Sequence, residues 1–400
     1  MQRDMIVDAP LRSAPASSLN FSSEAVQSRD RPLKVVLLCH YGRTGYNILR
    51  SLNQMGARTF LIHDNRSESL RFSRCCKVVH TARHIGDADP ETVIKLINDL
   101  HRSEGVDSVI ASDVESLTLL TRIKARLLAP LFPIAELDTL VTLDNKWDFY
   151  KLCEATGVAV PKTLSFKTKQ DIVPELIERE LGFPIIVKPT AGYGQRGIKI
   201  IADKTALIDD FLAGDVYDYC GLIVQEYIEG RDWSLSVFAR DGVVEHWTAW
   251  LCPDQLDKEY GVSRFMFTEF RGHDDLLEMA RKIVAASHFS GVANFDARFD
   301  SRTNTMKMFE CNPRFFNRML AARLCGLDFV RAGLPVRGTQ RYALDQGCFY
   351  PWHELFSARG AWRLVTGNWK LGPLARDVGE MLVDPLPPIM RKLLREEARA

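Results

Sequence analysis

The sequence predicts an α/β chain in two parts: a parallel-sheet unit at its start, then a longer α+β region built from strand pairs. Three stretches carry this prediction. Lys34–Ile62 places a helical period between two apolar runs, the βαβ opening of an open, Rossmann-like parallel sheet. Gly182–Ile201, GFPIIVKPTAGYGQRGIKII, sets a glycine-dense loop between two short β-branched runs. Gly291–Arg314, GVANFDARFDSRTNTMKMFECNPR, reads as two antiparallel strands, 292–299 and 305–311, with turn residues between them.

Four hundred residues suffice for two or three domains, each with its own core. An apolar fraction of 46% beside a charged fraction of 26% describes a globular chain. With 52 Lys plus Arg against 51 Asp plus Glu, the net charge of +1 leaves no footprint for nucleic acid or an anionic membrane, so any basic site must be local. Nine cysteines are scattered without a CxxC pair, which fits reduced thiols in a cytoplasmic setting better than a disulfide framework. No apolar run approaches the roughly 18 residues that a spanning helix needs. Residues 1–32 are small and polar, and predict a disordered leader.

Taken in order, Lys34–Cys39 is a buried strand, HYGRT a loop, Tyr46–Met55 a helix closed by Gly56, and Arg58–Ile62 the second strand. A helix marked by Val93, Ile94, Ile97 and Leu100, a strand at 106–111 and a helix marked by Leu117, Leu120, Ile123 and Leu127 complete the first unit. Loops at the carboxyl ends of parallel strands bind ligands, which makes His40, Arg43, Asp64 and Asp113 candidates. Gly42 and Gly45 alone do not complete a dinucleotide fingerprint. His40 and Asp113 also suit a capped loop histidine and a helix N-cap.

Leu137–Gly157 has one long amphipathic helical pattern, with Lys146 inside it, and Pro161 turns the chain into an extended segment. The strand Ile185–Val187 then delivers Lys188 to the loop holding Gly192, Gly194 and Gly197. Glycines at this density let backbone N–H groups approach phosphate oxygens, and Lys188 and Arg196 add positive charge. No GK[ST] opens a helix, so this is not a Walker loop. After a helix near 204–212, the readings are a strand at Leu222–Tyr227, a turn at Glu229-Gly230 and strands at 233–239, 243–250 and 262–270. Main-chain groups exposed at Glu226–Ile228 suit an adenine edge, and Asp232 suits a ribose. In the last strand pair, Glu310 and Asn312 lie two apart and share a face, with Asp296 within the partner strand. Two carboxylates and an amide are hard oxygen donors suited to magnesium held against a polyphosphate.

In this order the motifs resemble the ATP-grasp superfamily, specifically carboxylate-amine ligases related to D-alanine–D-alanine ligase, carbamoyl phosphate synthetase and biotin carboxylase. The resemblance covers roughly residues 33 to 330. It implies a pre-ATP-grasp domain at 33–132, one ATP-grasp lobe with the phosphate loop at 133–225, a second with the metal site at 226–335, and a helical tail at 336–400. It also implies ATP with two Mg2+ ions, Mn2+ being an alternative. Lys146 resembles the lysine that reaches the nucleotide phosphates, Lys188 the second phosphate or adenine lysine, and Thr190–Gly197 the flap over the triphosphate. Glu226, Tyr227 and Ile228 resemble the adenine hinge, with Asp232 at the ribose position where Glu is usual. Asp296, Glu310 and Asn312 match the metal ligands, and Arg314 the arginine near the transferred phosphoryl.

The activity so implied is amide or peptide bond formation through an acyl phosphate, with release of ADP and phosphate. Small carboxylate and amine substrates, an amino acid or short peptide, are expected near His40, Arg43, Asp113, Arg264 and Arg318. The family's habits also suggest a homodimer. The competing expectations are ATP-grasp chemistry with a non-amine acceptor or phosphoryl transfer, and a nucleotide-binding protein without turnover. The aromatic and basic stretch at 350–370 predicts a helix packed on the last domain, with a lipid surface or a partner as the alternative for Trp362, Arg363, Trp369 and Lys370.

Overall fold

A computed structural model describes residues 31–192, 196–214, 216–251, 268–270, 272–336, 340, 347–349 and 371–396. Most of the leader, Gly194, Arg264, the strand expected before Thr268 and the Trp-rich stretch at 350–370 lie outside the described residues.

The first sheet is parallel. Strand β1 (Lys34–Cys39) is apolar on both faces, as a central parallel strand requires, and pairs with β2 (Arg58–His63) and β4 (Ser108–Ala111). An edge strand, β3 (Cys76–Thr81), was not expected: its KVVH core is half-exposed and mixes Lys and His with valine. Helix α1 spans Gly42–Gln54, so the expected HYGRT loop is corrected. Gly45 does not break the helix. It lets the first turn lie against β1, where a Cβ would stand 2.2 Å from the Cys39 sulfur. Helices α2 (Pro90–Glu104) and α3 (Val114–Ile123) follow the expected periods.

The single helix expected over 137–157 is two helices, α4 (Leu137–Asp144) and α5 (Lys146–Ala155). Asn145 separates them with an extended backbone, and its side chain accepts the Trp147 and Asp148 N–H groups as an N-cap. Lys146 is therefore the first residue of a helix, not an interior one.

Two antiparallel sheets complete the chain. One has four strands in the order β5 (Thr163–Phe166), β8 (Leu222–Glu226), β6 (Ile185–Pro189), β7 (Lys199–Ile201). The other has six: β13 (Thr305–Asn312), β12 (Gly291–Asp300), β9 (Gly230–Arg240), β10 (Val243–Leu251), β11 (Thr268–Phe270) and β14 (Gly347–Phe349). The four-stranded sheet buries its own apolar cluster, including Ile177, Val187, Phe211 and Val224. The six-stranded sheet shares a continuous cluster with the parallel sheet, from Val36 and Phe60 through Phe149 to Phe295 and Met308. The glycine loop thus belongs to a small lobe with a separate core, and the acidic strand pair belongs to the larger body.

Gly230 opens β9 rather than lying in the expected turn. A Cβ there would meet the Phe299 carbonyl oxygen at 1.7 Å, so only glycine lets β9 and β12 pair at this end. Two helices follow residue 370, Leu371–Val383 and Leu386–Leu393. Arg50 of α1 bonds Asp377 at 2.8 Å and Glu380 at 2.7 Å, Tyr46 Oη donates to the Asp384 carbonyl at 2.6 Å, and Arg323 of helix α8 (Met319–Leu324) also pairs with Glu380. The tail therefore joins the first unit to the last. Among the described residues, no helix is long and apolar enough to cross a membrane.

Two predictions follow from these ties. Arg50 is 4% exposed, and removing one member of a buried ion pair typically costs about 3–5 kcal/mol. Arg50→Ala should lower stability by that order in urea unfolding, while Arg58→Ala, at a half-exposed pair, should cost less than about 1 kcal/mol. Asp300, fully buried, receives the Lys307 ammonium at 3.2 Å and Arg302 at 3.2 Å. Burial alone would raise its carboxyl, but the hydrogen bonds from Arg302 and Lys307 hold it down at about 2. Its contribution is full above the unfolded value near pH 4 and disappears as pH falls toward about 2. Asp300→Asn should therefore be less stable than the parent at pH 7, and the difference should close across that acid window.

Candidate nucleotide and metal site

The site begins with the register of two strands. Asp296 on β12 lies directly opposite Glu310 on β13, and Asn294 opposite Asn312. A bulge then intervenes, since Ala297 faces Met308 and leaves Phe309 as the additional residue. Met306 and Met308 enter the core, Phe309 and Glu310 both stay partly open, and Cys311 is buried again. The phase slip turns Phe309 and Glu310 together toward the polar face, where Phe309 lies under the Lys188 ammonium at 5.0 Å from its ring centre.

Four charges meet there. Burial, and next the charge of Glu310, push the Asp296 carboxyl up to about 7, although Ser234 Oγ, Asn294 Nδ2 (3.0 Å) and Asn312 Nδ2 (3.3 Å) donate to it. Burial pulls Lys188 down to about 8, with Glu310 opposing. Lys146, 7% exposed, places its ammonium 3.4 Å from Glu310 and 2.9 Å from the Gly192 carbonyl, while its N–H donates to the Thr190 carbonyl at 2.8 Å. One residue thus ties the base of the glycine loop to the acidic pair. Behind it, burial raises the Asp144 carboxyl despite Arg314 and Lys146 nearby.

Asp296 and Glu310 are carboxylates paired across the strands, and burial first, then the charge of Glu310, raises the Asp296 carboxyl. Oxygen donors in that condition fit a hard divalent cation such as magnesium. Asn312 presently turns its nitrogen to Asp296 and its oxygen to Arg314 at 3.0 Å, so ligation by its oxygen requires the amide to turn over.

Other expected residues take more varied places. Gly192 and Gly197 both adopt positive φ, +113° and +73°, as a loop of this kind requires, and Gly197's carbonyl accepts from Tyr217. Of the main chain expected to be open at Glu226–Ile228, two N–H groups are already bonded. Tyr227 and Ile228 are buried, the Glu226 N–H donates to the Lys162 carbonyl at 3.0 Å, and that of Tyr227 to Pro184 at 3.2 Å. The Glu226 carboxylate holds Lys307 at 2.7 Å. Asp232 pairs with the buried Arg298 at 3.2 Å, so a ribose contact would share it with that guanidinium.

Asp113 is the N-cap of α3 and also accepts the His40 and Tyr41 N–H groups through its other oxygen. His40 is paired with Asp64 at 2.5 Å. Arg43 stands in the first turn of α1, and Arg318 at the start of α8 with its guanidinium 5.8 Å from the centre of the Trp250 ring. Sequence reasoning missed Phe309, Ser234, Lys307 and Arg298. A bulge and cross-strand partners leave no local pattern, so only the pairing register reveals them.

Comparison with known proteins agrees with this arrangement. A family model described as an ATP-grasp domain matches residues 143–258. The chain is 23% identical over 309 residues to a D-aspartate ligase of Enterococcus faecium, covering 72% of each chain. In structure it is similar to an L-amino acid ligase from Bacillus licheniformis (TM-score 0.58, 14% identity, 77% of this chain and 74% of the other). It is also similar to the ADP complex of N5-carboxyaminoimidazole synthetase from Staphylococcus aureus (TM-score 0.61, 16% identity, 86% and 89%). The loop, the lysines and the paired carboxylates thus meet in one site, and residues 143–258 of the chain match an ATP-grasp domain.

Proposed function

We propose that the protein is an ATP-dependent carboxylate-amine ligase that joins two small substrates, an amino acid or short peptide among them, by an amide bond and releases ADP and phosphate. The observation that carries the reading is the meeting of Lys146, Lys188 and the Asp296–Glu310 pair at the base of the glycine loop. The likeness to proteins named as D-aspartate ligase and L-amino acid ligase supports amino-acid chemistry.

In this reading the substrate carboxylate attacks the γ-phosphorus of ATP, the bond to the β-phosphate bridging oxygen breaks, and ADP leaves. The amine then attacks the acyl carbon, loses a proton, and phosphate departs. Catalysis of this kind rests mainly on positioning and charge neutralisation. Lys146 holds the loop at Gly192 and carries its charge toward the phosphates. Lys188, buried over Phe309, gains full charge as polyanionic phosphate approaches, since a nearby negative charge favours the ammonium. Arg314 stands beside Asn312 to meet charge on the transferred group. Magnesium held by Asp296, Glu310 and Asn312 would neutralise phosphate charge when bound.

The test is a hydroxylamine trap with Mg-ATP and a panel of amino acids and small carboxylates. One carboxylate should give hydroxamate and stoichiometric ADP, and Glu310→Ala should lower the rate by at least about a hundredfold. Near-parental turnover in Glu310→Ala would remove the metal assignment. ADP formed only with bicarbonate, or a phosphorylated product stable to hydroxylamine, would replace the ligase by its relatives' other chemistries. Nucleotide binding without ADP under every substrate would favour a non-catalytic role.

A further inference from the structure

We propose that the carboxyl ends of β1 and β2 carry a second metal site, for a first-row transition cation such as zinc or cobalt. Its ligands are His40, His84 and Glu115, with Asp64 orienting His40. Donor atoms of His40, Asp64 and His84 lie within 4.8 Å of one another, and the two imidazole rings stand edge to face with centres 4.6 Å apart.

Asp64 is the organiser. It is completely buried, and its Oδ2 accepts from His40 Nδ1 at 2.5 Å and from the Ile85 N–H at 2.8 Å, while Oδ1 accepts from the Arg66 N–H at 2.9 Å. One carboxylate therefore fixes the His40 ring and also the backbone immediately after His84. With the Nδ1 proton directed at Asp64, the other nitrogen of His40 presents its lone pair. That nitrogen is buried and, among the described residues, has no hydrogen-bond partner, and the same is true of His84 Nδ1. The Glu115 carboxylate lies 3.8 Å from His40 Nε2.

Neighbouring His63 shows what an ordinary buried histidine does here. Its Nδ1 lies 3.1 Å from the Asp64 carbonyl and its Nε2 3.1 Å from Thr81 Oγ1, so both nitrogens are used. The His40–Asp64 pair alone explains why His40 is buried, but it does not explain two neighbouring imidazole nitrogens that lack hydrogen-bond partners among the described residues, His40 Nε2 at 3.8 Å from Glu115 and His84 Nδ1 at 3.7 Å from Asp87. A cation between the two rings satisfies both. Ligands on a tetrahedral zinc stand about 3.3 Å apart, given bonds of about 2.0–2.1 Å, a spacing that a small rotation of the partly exposed Glu115 toward His40 Nε2 reaches. Imidazole donors favour zinc, cobalt, nickel or copper over magnesium, and a carboxylate on the far nitrogen of a ligating histidine is the usual outer support. His84, 40% exposed, gives the ion an entry.

The site is independent of the nucleotide-site reading, and its test reads metal rather than turnover. The tag-free full-length protein, stripped with chelator, is titrated with Co2+ and followed by visible absorption and calorimetry. One Co2+ per chain should give the intense bands of a low-coordinate site with nitrogen ligands. His84→Ala and His40→Gln should each lower that affinity at least about tenfold, and Asp64→Asn about 10- to 100-fold. Glu310→Gln should leave these bands in place. His84→Ala removes an exposed side chain, and its far-UV circular dichroism should match the parent. No such bands in the parent protein, or bands unaltered by His84→Ala, or bands lost in Glu310→Gln, would overturn the proposal.

Discussion

The pairing of Asp296 with Glu310 is the constraint around which the site is built. Two carboxylates directly across from each other in a sheet repel, and burial deepens the cost because the charged form loses its water. The surrounding residues answer that cost in two ways. Ser234, Asn294 and Asn312 donate to Asp296, while Lys146 of α5 and Lys188 of the four-stranded sheet bring positive charge. The residual imbalance, which leaves Asp296 near 7, is what a divalent cation would relieve.

Much of this was legible in the sequence because it depends on local pattern. The β-branched run before Lys188 and the placing of Asp296, Glu310 and Asn312 on a strand pair are short-range features that fell on the expected elements, and Gly192 and Gly197 fell in the expected loop, Gly194 lying outside the described residues. What the sequence concealed depends on partners far along the chain. Arg298 and Asp232 meet only because β12 pairs with β9, and Glu226 meets Lys307 only across the two sheets. The break at Asn145 was hidden for a different reason. Apolar periodicity continues through α4 and α5, so the pattern reads as one helix, and only the capping side chain marks the boundary. That boundary has a chemical consequence, since it puts the Lys146 N–H at a helix start, free of an intrahelical partner and able to bond Thr190.

Separate cores explain how the two halves of the site can be held close without being fused. The loop lobe packs around Val187 and Phe211, while the carboxylates sit on a sheet that shares its core with the parallel unit. Links between the two include the Lys146 ammonium with Gly192, and Glu226 with Lys307.

The first sheet illustrates how identical residue types divide into structural and chemical roles. His40 and His63 are the last residues of a central strand region and its neighbour, each almost wholly buried. Burial lowers His63, whose nitrogens are both hydrogen-bonded. Burial would lower His40 as well, but the hydrogen bond and charge of Asp64 more than offset it and raise the group instead. A protein gains nothing in stability from a buried imidazole nitrogen left without a partner, because desolvation of that nitrogen is then uncompensated. His40 Nε2 is in that state, held there by Asp64 from one side and by the Asp113 cap of its own backbone from the other. Two carboxylates thus fix the direction of an unsatisfied donor site at the strand ends, the place where parallel sheets accept ligands.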